Sequence, residues 1–371
     1  MNVPLLDLVA QYRSIQDEVL PALHAVIESQ QFIMGPAVAQ LEAAVAQLSH
    51  ARHGIGCASG TDALLLPMKA LNLRPGDEVI TTSFSFFATA GAIHNAGGTP
   101  VFVDIEPDTF NLDPAAVEAA LTARTRAIIP VHLYGQMAAM ERFMAIAGPR
   151  GIKVIEDACQ AIGARRSIDG EWRLAGELGW VTAYSFFPSK NLGAWGDGGM
   201  MVTSDDQIAG RLRTLRLHGG AKQYHHDEIG TNSRLDTLQA AVLLAKLRHL
   251  ASWSARRREH AAVYTAALAD LPQVTPPAVA PTNEHIFHQY TLRVERRDAL
   301  QAHLKSAGVG SAVYYPVPLH LQECFRGLGY KAGQLPESER AAREVISLPV
   351  YPELRRDQLE YVIDAVRRFY R

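Results

Sequence analysis

An α/β fold with a mostly parallel central sheet is predicted for this chain, followed by a smaller α+β unit. Three observations predict it. Short apolar runs alternate with helical stretches through the first two hundred residues. Those runs are apolar throughout, as in strands buried on both faces, rather than polar at every second position. The chain's 371 residues, 48% apolar, suffice for one large domain and a smaller one.

The N-terminal part predicts helices over 14–29 and 36–49. The second follows the turn "IMGPAV" and carries Val38, Leu41, Val45 and Leu48 at helical spacing. Strands are then expected at "GIGCA" (54–58), "EVITT" (78–82), "PVFVD" (100–104), "AIIPVH" (127–132), "KVIED" (153–157), "VTAYSF" (181–186) and "GMMVTS" (199–204). Helical stretches fall between them at 60–72, 86–95, 114–121 and 137–147. Pro67 conflicts with the first of these, because it removes a backbone donor: the helix bends there or its boundary differs. Residues 234–270 form the longest helical pattern. Beyond the Pro-rich "LPQVTPPAVAPTNE" come a strand in "HQYTLRV", a helix in "RDALQAHLKSAG", a Tyr/Pro-rich loop and a last helix near 355–370. This places a large domain at 1–250 and a small one at 251–371.

A net charge of −2 gives no electrostatic case for nucleic acid or an anionic membrane as partner. The run Arg256, Arg257, Arg258 lies in a helical pattern and is expected to be a solvated face. Cys57, Cys159 and Cys324 are far apart without a C-x-x-C, which excludes a disulfide framework or a cysteine zinc site and fits a reducing cytoplasm. No signal peptide or membrane span is expected.

One lysine stands out. In "SFFPSKNLGAWGDGGMM" (185–201), Lys190 follows a predicted buried strand and sits among Phe186, Phe187, Gly193, Gly196, Gly198 and Gly199. Carboxyl ends of parallel strands form the ligand crevice. A lysine desolvated there has a lowered pKa, and its neutral amine can form a Schiff base with a carbonyl. The glycines are expected to let a flat ligand approach the backbone. "FFPSKNLG" lacks the glycines of a phosphate-binding G-x-x-x-x-G-K-[ST] loop, and "GIGCASG" spaces its glycines one residue too widely for a dinucleotide fingerprint.

Asp157 ends the strand "VIED", thirty-three positions before Lys190. It is either a helix N-cap or the carboxylate that keeps a pyridinium nitrogen protonated. Gln160 is placed to reach a phenolic oxygen on the same ring. In "ASGTDALLL", Ser59, Gly60 and Thr61 open a helix just after a strand. Exposed amides and the helix dipole bind phosphate there, which is compatible with N-capping by Ser59 or Thr61. Ser185 offers a hydroxyl to the same anion.

These segments, with "EVITTSFSFFATAGAI", "PVFVDIEPDTFNLD", "IIPVHLYGQ" and "IGTNSRLDTLQAAVL", resemble the sugar-nucleotide aminotransferases of the DegT/StrS group. The resemblance runs from about residue 4 to the end. It implies an aspartate-aminotransferase-type fold (fold type I) that binds pyridoxal 5′-phosphate where two subunits of a homodimer meet. Carried over by position, Lys190 is the Schiff-base lysine and proton carrier, Asp157 pairs with the ring nitrogen, and Gln160 lies near O3′. Gly60, Thr61 and Ser185 hold the phosphate. Phe86 matches the aromatic that stacks on the ring, the alternative being a core phenylalanine. Asn232 resembles the asparagine that reaches the neighbouring subunit's phosphate, and Arg234 a substrate-side arginine; a helix-start Asn with a structural Arg is the alternative.

"VYYPVPLHLQ" (313–322) and "FFPSKNLG" look most like members that aminate C3 of a keto-hexose. There Tyr314 and Tyr315 line the sugar and His320 lies nearby. Tyr314 stands where some uronate-processing relatives carry histidine, which shifts the expectation towards a neutral sugar. The resemblance implies L-glutamate as donor and a UDP- or dTDP-linked 3-keto-hexose as acceptor. The alternatives are a 4-keto sugar, a dehydratase (relatives of that activity carry histidine at the lysine position) and a regulator on the same fold.

Overall fold

The computed structural model describes residues 1–220, 222 and 224–371. Two helices open the chain, α1 (Leu8–Ser29) and α2 (Pro36–Leu48). The strand–helix alternation follows: β1 (His53–Cys57), α3 (Gly60–Ala70), β2 (Glu78–Thr82), α4 (Ala88–Asn95), β3 (Thr99–Val103), α5 (Pro114–Ala120), β4 (Thr125–Ile129), α6 (Met140–Ala147) and β5 (Lys153–Asp157). A hairpin, β6 (Arg165–Ile168) and β7 (Glu171–Leu174), precedes β8 (Val181–Ser185), β9 (Gly199–Thr203) and α7 (Asp206–Leu215). The hairpin is absent from the sequence expectation, since its short polar strands carry no buried-strand signature.

The seven-stranded sheet has the order β1-β9-β8-β5-β4-β2-β3. β9 pairs antiparallel with both β1 and β8, while β2, β3, β4, β5 and β8 pair in parallel. All five residues of β2 and of β9 are buried, as expected of strands covered by helices on both faces. One core lies on each side. Val38, Leu41, Phe143 and Leu243 belong to one, and Leu64, Leu66, Ile93 and Leu212 to the other.

The helical pattern expected over 234–270 divides into α8 (Thr237–Leu247) and α9 (Leu250–Leu268). α9 begins in one of these cores at Leu250 and ends in a third at Ala261, Tyr264 and Leu268. That third core also takes in Val3 from the N-terminus. It surrounds a small sheet, β10 (Val274–Thr275), β12 (Tyr290–Val294) and β13 (Val345–Leu348), while β11 (Asn283–Glu284) pairs with β6. Helices α10 (Arg297–Ser306), α11 (Pro336–Glu344) and α12 (Arg356–Tyr370) complete the chain. α3 runs through Pro67 to Ala70 with the proline buried, so the helix continues past the residue expected to interrupt it.

Candidate active site

The parallel strands deliver their carboxyl ends to one edge, and the candidate residues follow directly from them. After β1, Ser59 caps α3, its hydroxyl accepting from the Asp62 N–H at 3.1 Å. Gly60 then opens the helix against Ser185 at the end of β8. A Cβ at Gly60 would lie 2.5 Å from Ser185 Cβ and 2.8 Å from its Oγ. The helix N-terminus and the Ser185 hydroxyl are therefore brought together at a spot only glycine permits, which is how a phosphate cradle is built. Thr61 is exposed beside it.

β5 ends in Asp157, which is buried. Its Oδ2 accepts from the Thr89 hydroxyl at 2.7 Å and its Oδ1 from the Cys159 N–H at 3.2 Å. Thr89 Oγ1 lies 2.9 Å from Ser85 Oγ, so two hydroxyls fix the carboxylate from α4 and the loop before it. Gln160 is fixed as well: its Oε1 accepts from the Tyr134 N–H at 2.8 Å, and its Nε2 donates to Tyr315 Oη at 2.9 Å. Phe86 is 56% exposed and its ring stands 6.2 Å from that of Tyr315. It belongs to the cleft rather than to the core.

Lys190 lies in the turn after β8, its N–H donating to the Phe187 carbonyl at 2.9 Å. It is half-buried. Loss of solvent lowers its pKa, with Cys159 and Asp157 pulling the other way. Burial also raises the Tyr315 phenol, reinforced by the Asp157 charge and eased by Gln160. Lys190, Asp157, Gln160 and Tyr315 thus act on one another electrostatically in a single cleft.

Other candidates stand apart. Tyr314 borders a cavity with Ser189, and its carbonyl accepts from Tyr134 Oη. His320 is buried, with Nδ1 2.5 Å from Ser83 Oγ and Nε2 3.3 Å from Glu339; both ring nitrogens are engaged by the protein. Asn232 is exposed. Its neighbour Ser233 accepts from the Ala58 N–H at 3.2 Å and donates to Asp62 at 2.6 Å. Arg234 lines a separate hollow with Leu217, His218 and Ile229.

Two expectations are corrected. The glycines after Lys190 serve packing, not room for a ring. A Cβ on Gly193 would meet the Pro188 carbonyl oxygen at 2.3 Å, on Gly196 the Gln239 amide at 2.9 Å, on Gly198 Leu235 at 3.0 Å, and on Gly199 the Ser59 carbonyl oxygen at 2.3 Å. The arginine run is not a uniformly solvated face: Arg257 is 3% exposed, because α9 crosses beneath the loop that precedes β12.

Thr89, Tyr134, Asn191 and His288 were not anticipated. Asn191 Nδ2 donates to the Ile286 carbonyl at 3.3 Å, which turns its Oδ1 to His288 Nδ1 at 3.0 Å. His288 is held neutral by burial, with Lys190 adding to the effect. Asn191, adjoining the lysine, was the one signal available; His288 lies ninety-eight positions away.

A phosphorylated pyridine aldehyde fits this cleft on four counts. There is a helix N-terminus cleared by Gly60, a buried carboxylate with two hydrogen bonds, an exposed aromatic face and an amine whose charge is disfavoured. Fold and cleft define the class, a pyridoxal phosphate-dependent enzyme on a mostly parallel α/β sheet. The chain belongs to the DegT/DnrJ/EryC1/StrS aminotransferase family, which its residues 13–367 match. It is 54% identical to the pleiotropic regulatory protein of Geobacillus stearothermophilus, covering 100% of this chain and 99% of that one. It is 46% identical to the UDP-N-acetyl-3-dehydro-alpha-D-glucosamine 3-aminotransferase of Acidithiobacillus ferrooxidans, covering 99% and 97%. The solved structure of S. venezuelae DesV with a ketimine intermediate superposes with a TM-score of 0.96 at 44% identity, covering 100% and 98%.

Proposed function

We propose that this aminotransferase converts a nucleotide-linked 3-keto-hexose to the 3-amino sugar, with L-glutamate as donor. It would act in the cytoplasm as a homodimer with active sites at the subunit boundary. The observation that carries the reading is that Gln160, beside the carboxylate of Asp157, hydrogen-bonds Tyr315 of the segment expected to hold the sugar. The groups for proton transfer and for acceptor recognition therefore share one cleft. The activity named for the Acidithiobacillus relative supports C3 as the position. A neutral sugar is supported by Tyr314, which brings no charge for a C6 carboxylate.

Lys190 would hold the cofactor, Asp157 face its ring nitrogen and Gln160 its phenolic oxygen, with Phe86 against the ring. Gly60, Thr61 and Ser185 would receive the phosphate. When bound, pyridoxal phosphate supplies the electron sink for the pair left as a proton departs. Lys190, disfavoured as a cation, takes up that proton at Nζ and returns it to the acceptor carbon. Thr89 and Ser85 keep Asp157 oriented, and the aromatic walls of Phe86 and Tyr315 limit water. Dimerisation is supported by apolar side chains left exposed on one chain: Val9 and Ile27 of α1, then Ile33, Met34, Phe187 and Trp195. Asn232 would reach the neighbouring subunit's phosphate across that boundary, and Arg234 would lie on the substrate side.

The relative named as a regulator is the observation favouring a second reading, a regulator on this fold. The Lys190–Asp157–Gln160 arrangement supports catalysis instead. The test is a panel of UDP- and dTDP-linked 3-keto and 4-keto sugars with L-glutamate, reading product regiochemistry by NMR and 2-oxoglutarate release. A 3-amino product with equimolar 2-oxoglutarate is expected. A 4-amino or deoxygenated product overturns the C3 assignment, and specific DNA binding without turnover favours the regulator. Lys190→Ala should lose both turnover and the visible absorbance of lysine-linked cofactor.

A further inference from the structure

A cavity of about 50 Å³ lies where Arg257 of α9 meets the turn after β8, and of its lining only Tyr314 has been given a role above. Arg257 of α9 and Gln289 line it with Ser189, Ser347 and Tyr314, and Leu5 and Leu6 also face it. Ser189 immediately precedes Lys190, so the cavity adjoins the turn that carries the reactive amine. His288, tied to Asn191 on the far side of that lysine, borders it too.

Its polar groups are incompletely satisfied. Arg257 Nη1 donates to the carbonyls of Phe287 at 3.2 Å, His288 at 3.4 Å and Val350. Its Nε is buried without a partner, and so is Gln289 Oε1. A buried donor left unpaired is costly, most of all on a charged group. Glu353 is the carboxylate that acts on Arg257, yet both its own oxygens are buried and unpartnered, so the two do not compensate each other at close range. No carboxylate is among the residues lining the cavity. A small anion is the ligand this arrangement lacks, and the volume admits a group of a few heavy atoms rather than a sugar or a nucleotide.

We propose that this cavity seats a carboxylate of the amino-acid donor, with Arg257 as counter-ion and Gln289 and Ser189 as hydrogen-bonding partners. A half-turn of the Gln289 amide presents its N–H to the anion, and Leu5 and Leu6 cover the aliphatic stem. Loss of solvent brings the Arg257 guanidinium down to about 10, still charged at neutral pH, and a bound carboxylate restores the missing partner. The inference rests on the donor being an amino acid, as proposed above.

The probe is glutarate, which has the carboxylates of L-glutamate but no amine to transfer. In the holoenzyme, glutarate should bind by calorimetry and compete with L-glutamate. Gln289→Glu sets a like charge in the cavity without touching the Arg257–carbonyl bonds. It should raise the glutarate Kd and the L-glutamate KM by about tenfold or more, leaving the keto-sugar KM within about twofold. Arg257→Met should do the same; if that variant does not fold, Gln289→Glu decides alone. Unaltered glutarate binding in Gln289→Glu, or none in the wild type, overturns the proposal. Wild-type enzyme that binds glutarate but never consumes L-glutamate would instead refute the donor assignment and leave the carboxylate site standing.

Discussion

Lys190 is set apart by its position: burial lowers its pKa from the ordinary 10.5, and in the proposed role its neutral amine would attack an aldehyde. The neutral fraction therefore persists to lower pH than for a free lysine. The rate at which apo-protein captures pyridoxal phosphate should rise with pH to a midpoint below 10.5, followed by visible absorbance in rapid mixing; a midpoint at or above that value contradicts the desolvated setting. Asp157 depends on Thr89 in a comparable way. Thr89→Val keeps the shape but removes the hydroxyl donated to the carboxylate. Hydrogen bonds to charged groups contribute about 1.5–3 kcal/mol, so kcat/KM should fall roughly ten- to hundredfold, with circular dichroism unchanged. In the sequence Asp157 stands out because it ends an apolar run, and Lys190 because it is the lone cation in the turn that follows another. Thr89 was not: "FATAGA" reads as a small-residue helix start, and only the pairing of β2 and β5 through β4 brings it to Asp157.

At the scale of elements, the junctions of β1, β8 and β9 with α3 are set by glycine. Gly60→Ala would press its methyl on Ser185 and displace the helix N-terminus from that hydroxyl. The variant should bind pyridoxal phosphate, and inorganic phosphate as competitor, about tenfold more weakly or worse, measured by fluorescence titration of the apo-protein. Gly199→Ala would strike the Ser59 carbonyl and should cost stability instead, by about 1–3 kcal/mol or more, in urea unfolding. The glycine cluster was visible in the sequence, but its purpose was not. Spacing gives the count of small residues; whether the space goes to a ligand or to a neighbouring backbone depends on which strands pair. α9 gives the same lesson, since a run of three arginines carries no sign that the middle one faces inward.

At the scale of the molecule, a buried cation ties α8 to the segment after Lys190. Lys246, 1% exposed, donates to the Gly193 carbonyl, and burial brings it down to about 8. Its folded-state pKa is below the unfolded value, so the native state disfavours its proton. That penalty is complete below pH 8 and is relieved as pH rises towards 10.5. Lys246→Met should show no such relief: relative to wild type, its unfolding free energy should fall by up to about 3 kcal/mol across that window. Chemical denaturation at several pH values checks the sign. The exposed apolar side chains of α1 and the 187–195 segment predict a dimer that persists on dilution to nanomolar concentration in analytical ultracentrifugation.

Some of this protein was determined by sequence alone. Apolar runs of five residues between helices dictate the sheet and put Asp157 and Ser185 at strand ends, with Lys190 in the turn beyond, because local hydrophobicity decides where strands form. Tertiary structure decided the rest. It engaged both nitrogens of His320, committed the glycines after Lys190 to packing, joined Val3 to the C-terminal core, and buried Arg257 beside the turn that carries Lys190. Each depends on contacts between residues far apart in the chain, where periodicity carries no information and only the closing of the fold determines which groups lose water.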